Sequence, residues 1–194
     1  CSSDLHLAHS RCWLSRRPLR SLGVPATPYG RPTDYHPGTP GPHVDELRAL
    51  TRELVATPSH EDPESVGDRI ERWLREHTTA AVDRDGVGNV LATRHVGVDS
   101  AQDHGETLAL VGHHDVVPPD DEQIADDGSY VVEERDGRLY GRGSADMKGA
   151  VAAAMIAFRE AAATNEDEAS GTIQFASFVG EEIGGEGARH AIDE

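Results

Sequence analysis

From Val44 onward, apolar and polar residues follow regular periods. Val44, Leu47, Leu50, Leu54 and Val55 fall at helical spacing with Glu46, Arg48, Arg52 and Glu53 between them. This pattern predicts an amphipathic helix over 44–56, ended by Pro58. A second helix is expected where Asp62 caps and Pro63 occupies the first turn, with Val66, Ile70, Trp73 and Leu74 as its buried stripe, running to about His77. The period then changes. AAVDR (80–84) and NVLATR (89–94) flank DGVG, a turn signal that joins two strands into a hairpin. TLALVG (107–112) is a short apolar run read as a buried strand, and YVVEERDGRLYG (130–141) predicts a second hairpin turning at Asp136 and Gly137. KGAVAAAMIAFREAAA (148–163) consists of strong helix formers, and GTIQFASFV (171–179) reads as another buried strand. Helices alternating with apolar strands predict an α/β layered fold with at least partly parallel strands.

Residues 1–43 have no such period. They hold seven of the eleven prolines and both cysteines, Cys1 and Cys12, and the stretch GVPATPYGRPTDYHPGTPGPH has a Pro or Gly every few positions. Two regions follow: a Pro/Arg-rich extension over 1–43, expected to be disordered or non-native, and a folded part over 44–194. Arg11, Arg16, Arg17 and Arg20 allow a targeting peptide, and a leading Cys allows a processed lipoprotein. The plainer reading is an incomplete or wrongly extended gene product.

Charge divides at the same place. The chain carries 35 Asp plus Glu against 18 basic residues, of which Lys148 is the only lysine, for a net −17. The first 43 residues hold five Arg and two Asp, and the rest carries a local −20. Nucleic acid is excluded as an expected partner, because a phosphate backbone is held by clustered positive charge. A membrane partner is excluded too, since no run approaches the roughly 18 apolar residues of a spanning helix, and a cytoplasmic setting is expected. Two cysteines cannot make a disulfide framework or a four-ligand structural zinc site. Excess acid with a single Lys is the composition of proteins soluble in concentrated salt, where screening shortens to about 3 Å at 1 M. Unfolding on dialysis to low salt is the outcome expected of such a protein, and full stability in dilute buffer contradicts it.

Three polar clusters sit where strands or hairpins end, the usual place for ligands in α/β folds. In GHHDVVPP (112–119), His113 and Asp115 lie two apart and share a face of an extended backbone. That suits a metal-binding imidazole whose far nitrogen donates to a carboxylate, although two exposed loop residues would look the same. In GRGSADMKG (141–149), three glycines let the loop bend Asp146 into a cavity; Asp146 as a plain helix cap leaves the glycines, Arg142 and Lys148 unexplained. In FVGEEIGGEG (178–187), Glu181 and Glu182 can serve one site only if the strand has ended, which Gly180 permits. The plainer reading is a solvated acidic turn. Together, one imidazole and several carboxylates are a ligand set for Zn²⁺, Co²⁺ or Mn²⁺ acting on water. Glu181 and Glu182 can divide the roles of ligand and general base.

The order and spacing of GHHDVVPP, LYGRGSADMKG and FVGEE resemble the M20 family of metallopeptidases and amidohydrolases, of the acetylornithine deacetylase and succinyl-diaminopimelate desuccinylase type, over residues 44–194. The resemblance implies a three-layer catalytic domain, a mixed, mostly parallel sheet flanked by helices, here C-terminally truncated. It implies two divalent ions, Zn²⁺ or Co²⁺ with Mn²⁺ as a further option, and assigns His113 and Glu182 as ligands, Asp146 as the bridging ligand, Asp115 as the residue orienting His113, and Glu181 as general base. A cis peptide after Asp146 is implied as well. His190 matches no ligand position and is expected on a helix surface. Gly180 departs from the family, which usually has Asp there. Family members are about twice as long, so two of five expected protein ligands lie outside this sequence, along with a lid or dimerisation domain that allows a homodimer. The implied activity is hydrolysis of N-acyl amino acids, with a di- or carboxypeptidase as the alternative within the fold and an inactive metal-binding fragment as the alternative outside it.

Overall fold

Helix α1 (Val44–Ala56) buries Leu50, Leu54 and Val55 on one stripe, and the Thr57 hydroxyl closes its end by donating to the Glu53 carbonyl at 2.9 Å, just before Pro58. Helix α2 (Glu64–His77) starts where Asp62 Oδ1 accepts the Glu64 N–H at 2.9 Å, and it buries Val66, Ile70 and Leu74. Both helices match the periodicity of their sequences, because a stripe at i, i+3, i+4 spacing is removed from water only when the backbone is helical.

The computed structural model describes residue 41 and residues 43–96, 106–162 and 171–193. The extension expected over 1–43 therefore lies outside the described residues, Gly41 and His43 apart. Strands β1 (Ala81–Arg84) and β2 (Val90–Val96) form the first hairpin, β3 (Glu106–His113) follows, and β4 (Glu133–Arg135) and β5 (Arg138–Tyr140) form the second. The second hairpin turns at Asp136 and Gly137, as expected, both with positive φ, the backbone that a two-residue hairpin turn requires. Helix α3 (Gly149–Ala162), strand β6 (Gly171–Phe178) and helix α4 (Glu186–Asp193) complete the described chain. Among the described residues no helix is long and apolar enough to cross a membrane.

The main sheet has the order β1-β2-β6-β3. It is mixed: β6 pairs antiparallel with β2 and parallel with β3, and among the described residues that is where the parallel pairing lies. Ile173 and Phe175 of β6, with Val90 and Ala92 of β2, meet Ile70, Leu74, Met155 and Phe158 of the helices to make the core. The rings of Phe158 and Phe175 lie 6.3 Å apart at a tilt. Each of these side chains larger than Ala92 contributes roughly 1.5–3 kcal/mol by leaving water.

One expectation about the sheet is corrected. TLALVG forms a strand but not a buried one: Leu108 is 58% and Val111 55% exposed, and Leu110 alone of its large side chains packs against the core. β3 is the outer strand, with β6 on one side and no described strand on the other, and at Gly112 it lies beside Met147 and beside Val151 of helix α3. α4 carries His190, as expected of a residue on a helix surface, but its bounds are not announced by the sequence. With eight residues, Gly187 as its one buried residue and Ile192 exposed, it has no apolar stripe to read.

Candidate metal centre

β3 and β6 end side by side, with His113 opposite Phe178, and the polar clusters follow directly. His113 is buried, and its Nδ1 donates to the main-chain oxygen of Asp115 at 3.1 Å. A carbonyl oxygen only accepts, so Nδ1 carries a proton, and the ring offers a lone pair at Nε2 once the second proton is released. Nε2 lies 3.3 Å from Asp146 Oδ1 and 3.9 Å from Glu181 Oε2.

The Asp115 carboxylate has more to do than the sequence suggested. Oδ1 stands 3.6 Å from His113 Nδ1, an ion-pair distance rather than a hydrogen bond, while its two oxygens accept the backbone N–H groups of Glu181 at 3.2 Å and Glu182 at 3.0 Å. One buried side chain thus fixes the imidazole from β3 and the paired glutamates after β6. Burial pushes the Asp115 carboxyl up, but His113 and the two N–H groups outweigh it and hold it below the usual carboxylate range. In return, the carboxylate beside the ring raises His113 to about 9, against the burial that lowers it.

Asp146 is delivered by a wide turn, Ser144–Lys148, closed by the Lys148 N–H donating to the Gly143 carbonyl at 2.8 Å. Gly143 has a φ of +77°, and a Cβ there would collide with the Val116 side chain, so glycine is required. The Asp146–Met147 peptide is cis, as the family resemblance implied. The Asp146 side chain is 78% exposed and reaches His113 instead of capping α3. Behind the turn, Lys148 is fully buried, donates from Nζ to the Thr57 carbonyl at 2.6 Å, and lies 5.3 Å from the centre of the Tyr130 ring. Burial brings its ammonium down to about 7, with the Asp115 charge acting the other way.

Glu181 and Glu182 begin the turn after β6. Gly180 adopts a φ of +66° once the strand has ended, which frees the two side chains from the alternation of a strand. A buried residue that the sequence did not single out, Asn89, clamps this turn from the first hairpin: its Oδ1 accepts the Val179 N–H at 3.0 Å, and its Nδ2 donates to the Gly187 carbonyl at 2.9 Å and to Asp85 Oδ2 at 2.6 Å. Asp85 Oδ1 in turn accepts the N–H groups of Val87, Gly88 and Asn89. The one signal for this in the sequence is the Asp and Asn bracketing the DGVGN turn.

His113, Glu181 and Glu182 each offer one ligand atom, all within 4.8 Å of one another, and Asp146 stands on the open side of His113. One imidazole nitrogen grouped with hard carboxylate oxygens suits Zn²⁺, Co²⁺ or Mn²⁺. The residues present therefore fit a divalent metal. His114 stays outside this set: it is buried, its Nδ1 lies 2.9 Å from Ser177 Oγ, and burial lowers it to about 4, so it is neutral. His190 lies on α4, 4.0 Å from Asp85, and is not among the converging donors.

Residues 109–194 match Peptidase family M20/M25/M40. Succinyl-diaminopimelate desuccinylase of Bordetella pertussis is 37% identical over 124 residues, which is 61% of this chain and 30% of the relative. The enzyme of the same description from Bordetella petrii is 39% identical over 116 residues, 58% of this chain and 28% of the relative. The match thus spans less than a third of the relatives' length. Among solved structures, human carnosine dipeptidase 1 superposes with a TM-score of 0.59 at 24% identity, over 78% of this chain and 35% of that one. The M20 family metallo-carboxypeptidase Sso-CP2 of Sulfolobus solfataricus gives 0.58 at 21% identity over 77% and 34%. These two show a shared fold.

Proposed function

We propose that this chain, an M20-type sequence over residues 109–194 resembling the N-terminal part of that family's enzymes, supplies half of the active site of a metal-dependent hydrolase that cleaves the amide bond of N-acyl amino acids. The observation that carries the proposal is the convergence of His113, Asp146, Glu181 and Glu182 beyond the paired ends of β3 and β6. His113, Asp146 and Glu182 would hold two divalent ions, zinc or cobalt with manganese as a further option. Ions bound there would polarise the amide carbonyl and make a water acidic enough to supply a nucleophile at neutral pH.

The side chains of the chain itself do the rest. Glu181, 60% exposed at the mouth of the site, accepts the proton of the attacking water and returns it to the departing nitrogen. Asp115 keeps the His113 lone pair on Nε2 and holds both glutamates by their backbone. The proposed setting is the cytoplasm, and the proposed substrates are succinylated amino acids, after the name shared by the relatives, or acetylated ones, after the family resemblance.

The test uses the full-length product of the gene, supplied in turn with Co²⁺, Zn²⁺ and Mn²⁺, and offered N-succinyl amino acids, N-acetyl amino acids and dipeptides. N-acyl amino acids are expected to be cleaved faster than dipeptides. Glu181→Gln is expected to lower kcat by about 10²–10⁴-fold while the metal content stays unchanged. An unaltered rate removes Glu181 from the role of base, and faster turnover of dipeptides replaces the deacylase with a peptidase.

A further inference from the structure

A cavity of about 270 Å³ opens beside Asp146 and Glu182, and one cationic side chain stands in its wall, Arg142. Seven other arginines of the described residues lie within 4.0 Å of a carboxylate, as expected in so acidic a chain, but Arg142 does not. Its Nη2 donates to Gln123 Oε1 at 3.0 Å, and its Nε is buried with no hydrogen-bond partner among the described residues. A buried donor on a permanent cation is costly unless something accepts from it.

The guanidinium is also held in place. Gln123 Oε1, its partner, accepts the Asp120 N–H at 3.0 Å as well, which fixes the amide at the end of a short 3₁₀ turn, Asp121–Gln123. Val116, buried, and Val117, half-exposed, line the same cavity and make part of its wall apolar. Arg142 and Asp146 are four residues apart, so their Cα atoms stand no more than about 14 Å from each other. The carboxylates of the candidate metal centre, apolar side chains and a planar cationic fork lining one cavity are complementary to a short aliphatic chain that joins the scissile amide to a carboxylate.

We infer that Arg142 is a specificity-determining residue of this site, which binds a free carboxylate of the substrate while the amide lies at Asp146 and Glu182. The inference rests on the hydrolase reading above. An N-succinyl amino acid carries that chemistry twice, in the far carboxylate of the acyl group and in the α-carboxylate of the amino acid, and the test separates them.

The full-length enzyme, Arg142→Met and Arg142→Lys are compared on N-succinyl-diaminopimelate and on two analogues, one with the succinyl carboxylate and one with the neighbouring α-carboxylate converted to a carboxamide. Wild type is expected to lose about tenfold or more in kcat/KM, through KM, on one of the two analogues. Arg142→Met loses a similar factor on the unmasked substrate and little more on that same analogue, since one interaction cannot be lost twice. Arg142→Lys recovers part of it. An equal loss by Arg142→Met on all three compounds, or indifference of the wild type to both maskings, overturns the inference. Inhibition of the wild type gives a reading independent of any variant: succinate is expected to compete better than succinamate, and equal inhibition counts against Arg142. If wild type cleaves none of the three compounds, the hydrolase reading falls together with this one, whereas cleavage without discrimination removes Arg142 alone.

Discussion

β3 and β6 are parallel neighbours, paired from Glu106↔Gly171 to His113↔Phe178, and both read as apolar runs, yet solvent meets them differently. β6 lies between β2 and β3, and Ile173, Phe175 and Ser177 on its inner face are buried. β3 has a described neighbour on one side, and Leu108 and Val111 stand largely in water. Hydrophobicity in a strand states that it is to be covered; where the cover comes from is a property of sheet order, which no local pattern carries. The contrast stops at the C-terminal ends, where both strands hand over to equally well-fixed site residues through the Asp115 carboxylate.

Three measurements sharpen or break this comparison. The largest effect is expected at Phe175→Ala, which empties the centre of the core against Phe158 and should lower the unfolding free energy in urea by about 3–5 kcal/mol. A loss below about 1 kcal/mol would mean that β6 is not the central strand.

Next comes Asp115→Ala, which unties the two strand ends. Metal affinity, read by competition with a chelator, should fall by about 10–100-fold, and its dependence on pH should change. In the wild type, His113 with its pKa raised to about 9 must release a proton to become a ligand, so affinity climbs as pH rises towards that value. Without the carboxylate the climb should end nearer the ordinary histidine value of about 6.5. The same group contributes stability to the metal-free protein that is fully present below about pH 6.5 and is lost as pH rises through about 9. An unchanged pH profile would detach Asp115 from His113.

The smallest effect is expected at Leu108→Ser, within about 0.5 kcal/mol of wild type, because the side chain already faces water. A loss of 2 kcal/mol or more would show that β3 is covered in solution.

Much of this arrangement was legible in the sequence. The bounds of α1, the start of α2 at Asp62, the turn at Asp136 and Gly137, and the strand ends that carry His113 and Glu181 all depend on neighbours within a few residues, and local chemistry decides them. The spatial meeting of His113, Asp146, Glu181 and Glu182 was suggested by their places at strand and hairpin ends, and the family resemblance gave each a separate role. What stayed hidden depends on long-range packing: the exposure of β3, the reach of Lys148 Nζ to Thr57, and Asn89, whose neighbours Val179 and Gly187 lie some ninety residues on. The bounds of α4, the helix on which His190 was expected, escaped for the opposite reason, since it has too little buried surface to leave a periodic trace.

The register of β3 on β6 has a further consequence, for the order in which the molecule can acquire its chemistry. The two hairpins close locally, whereas each β3–β6 pair joins residues separated by α3 and the segments around it, a loop whose closure entropy must be met before the pairing returns anything. His113 belongs to one side of that loop and both glutamates to the other, so the donor set does not exist until the slowest class of contact has formed. A coloured metal ion bound there would serve as a clock for the last long-range step of folding.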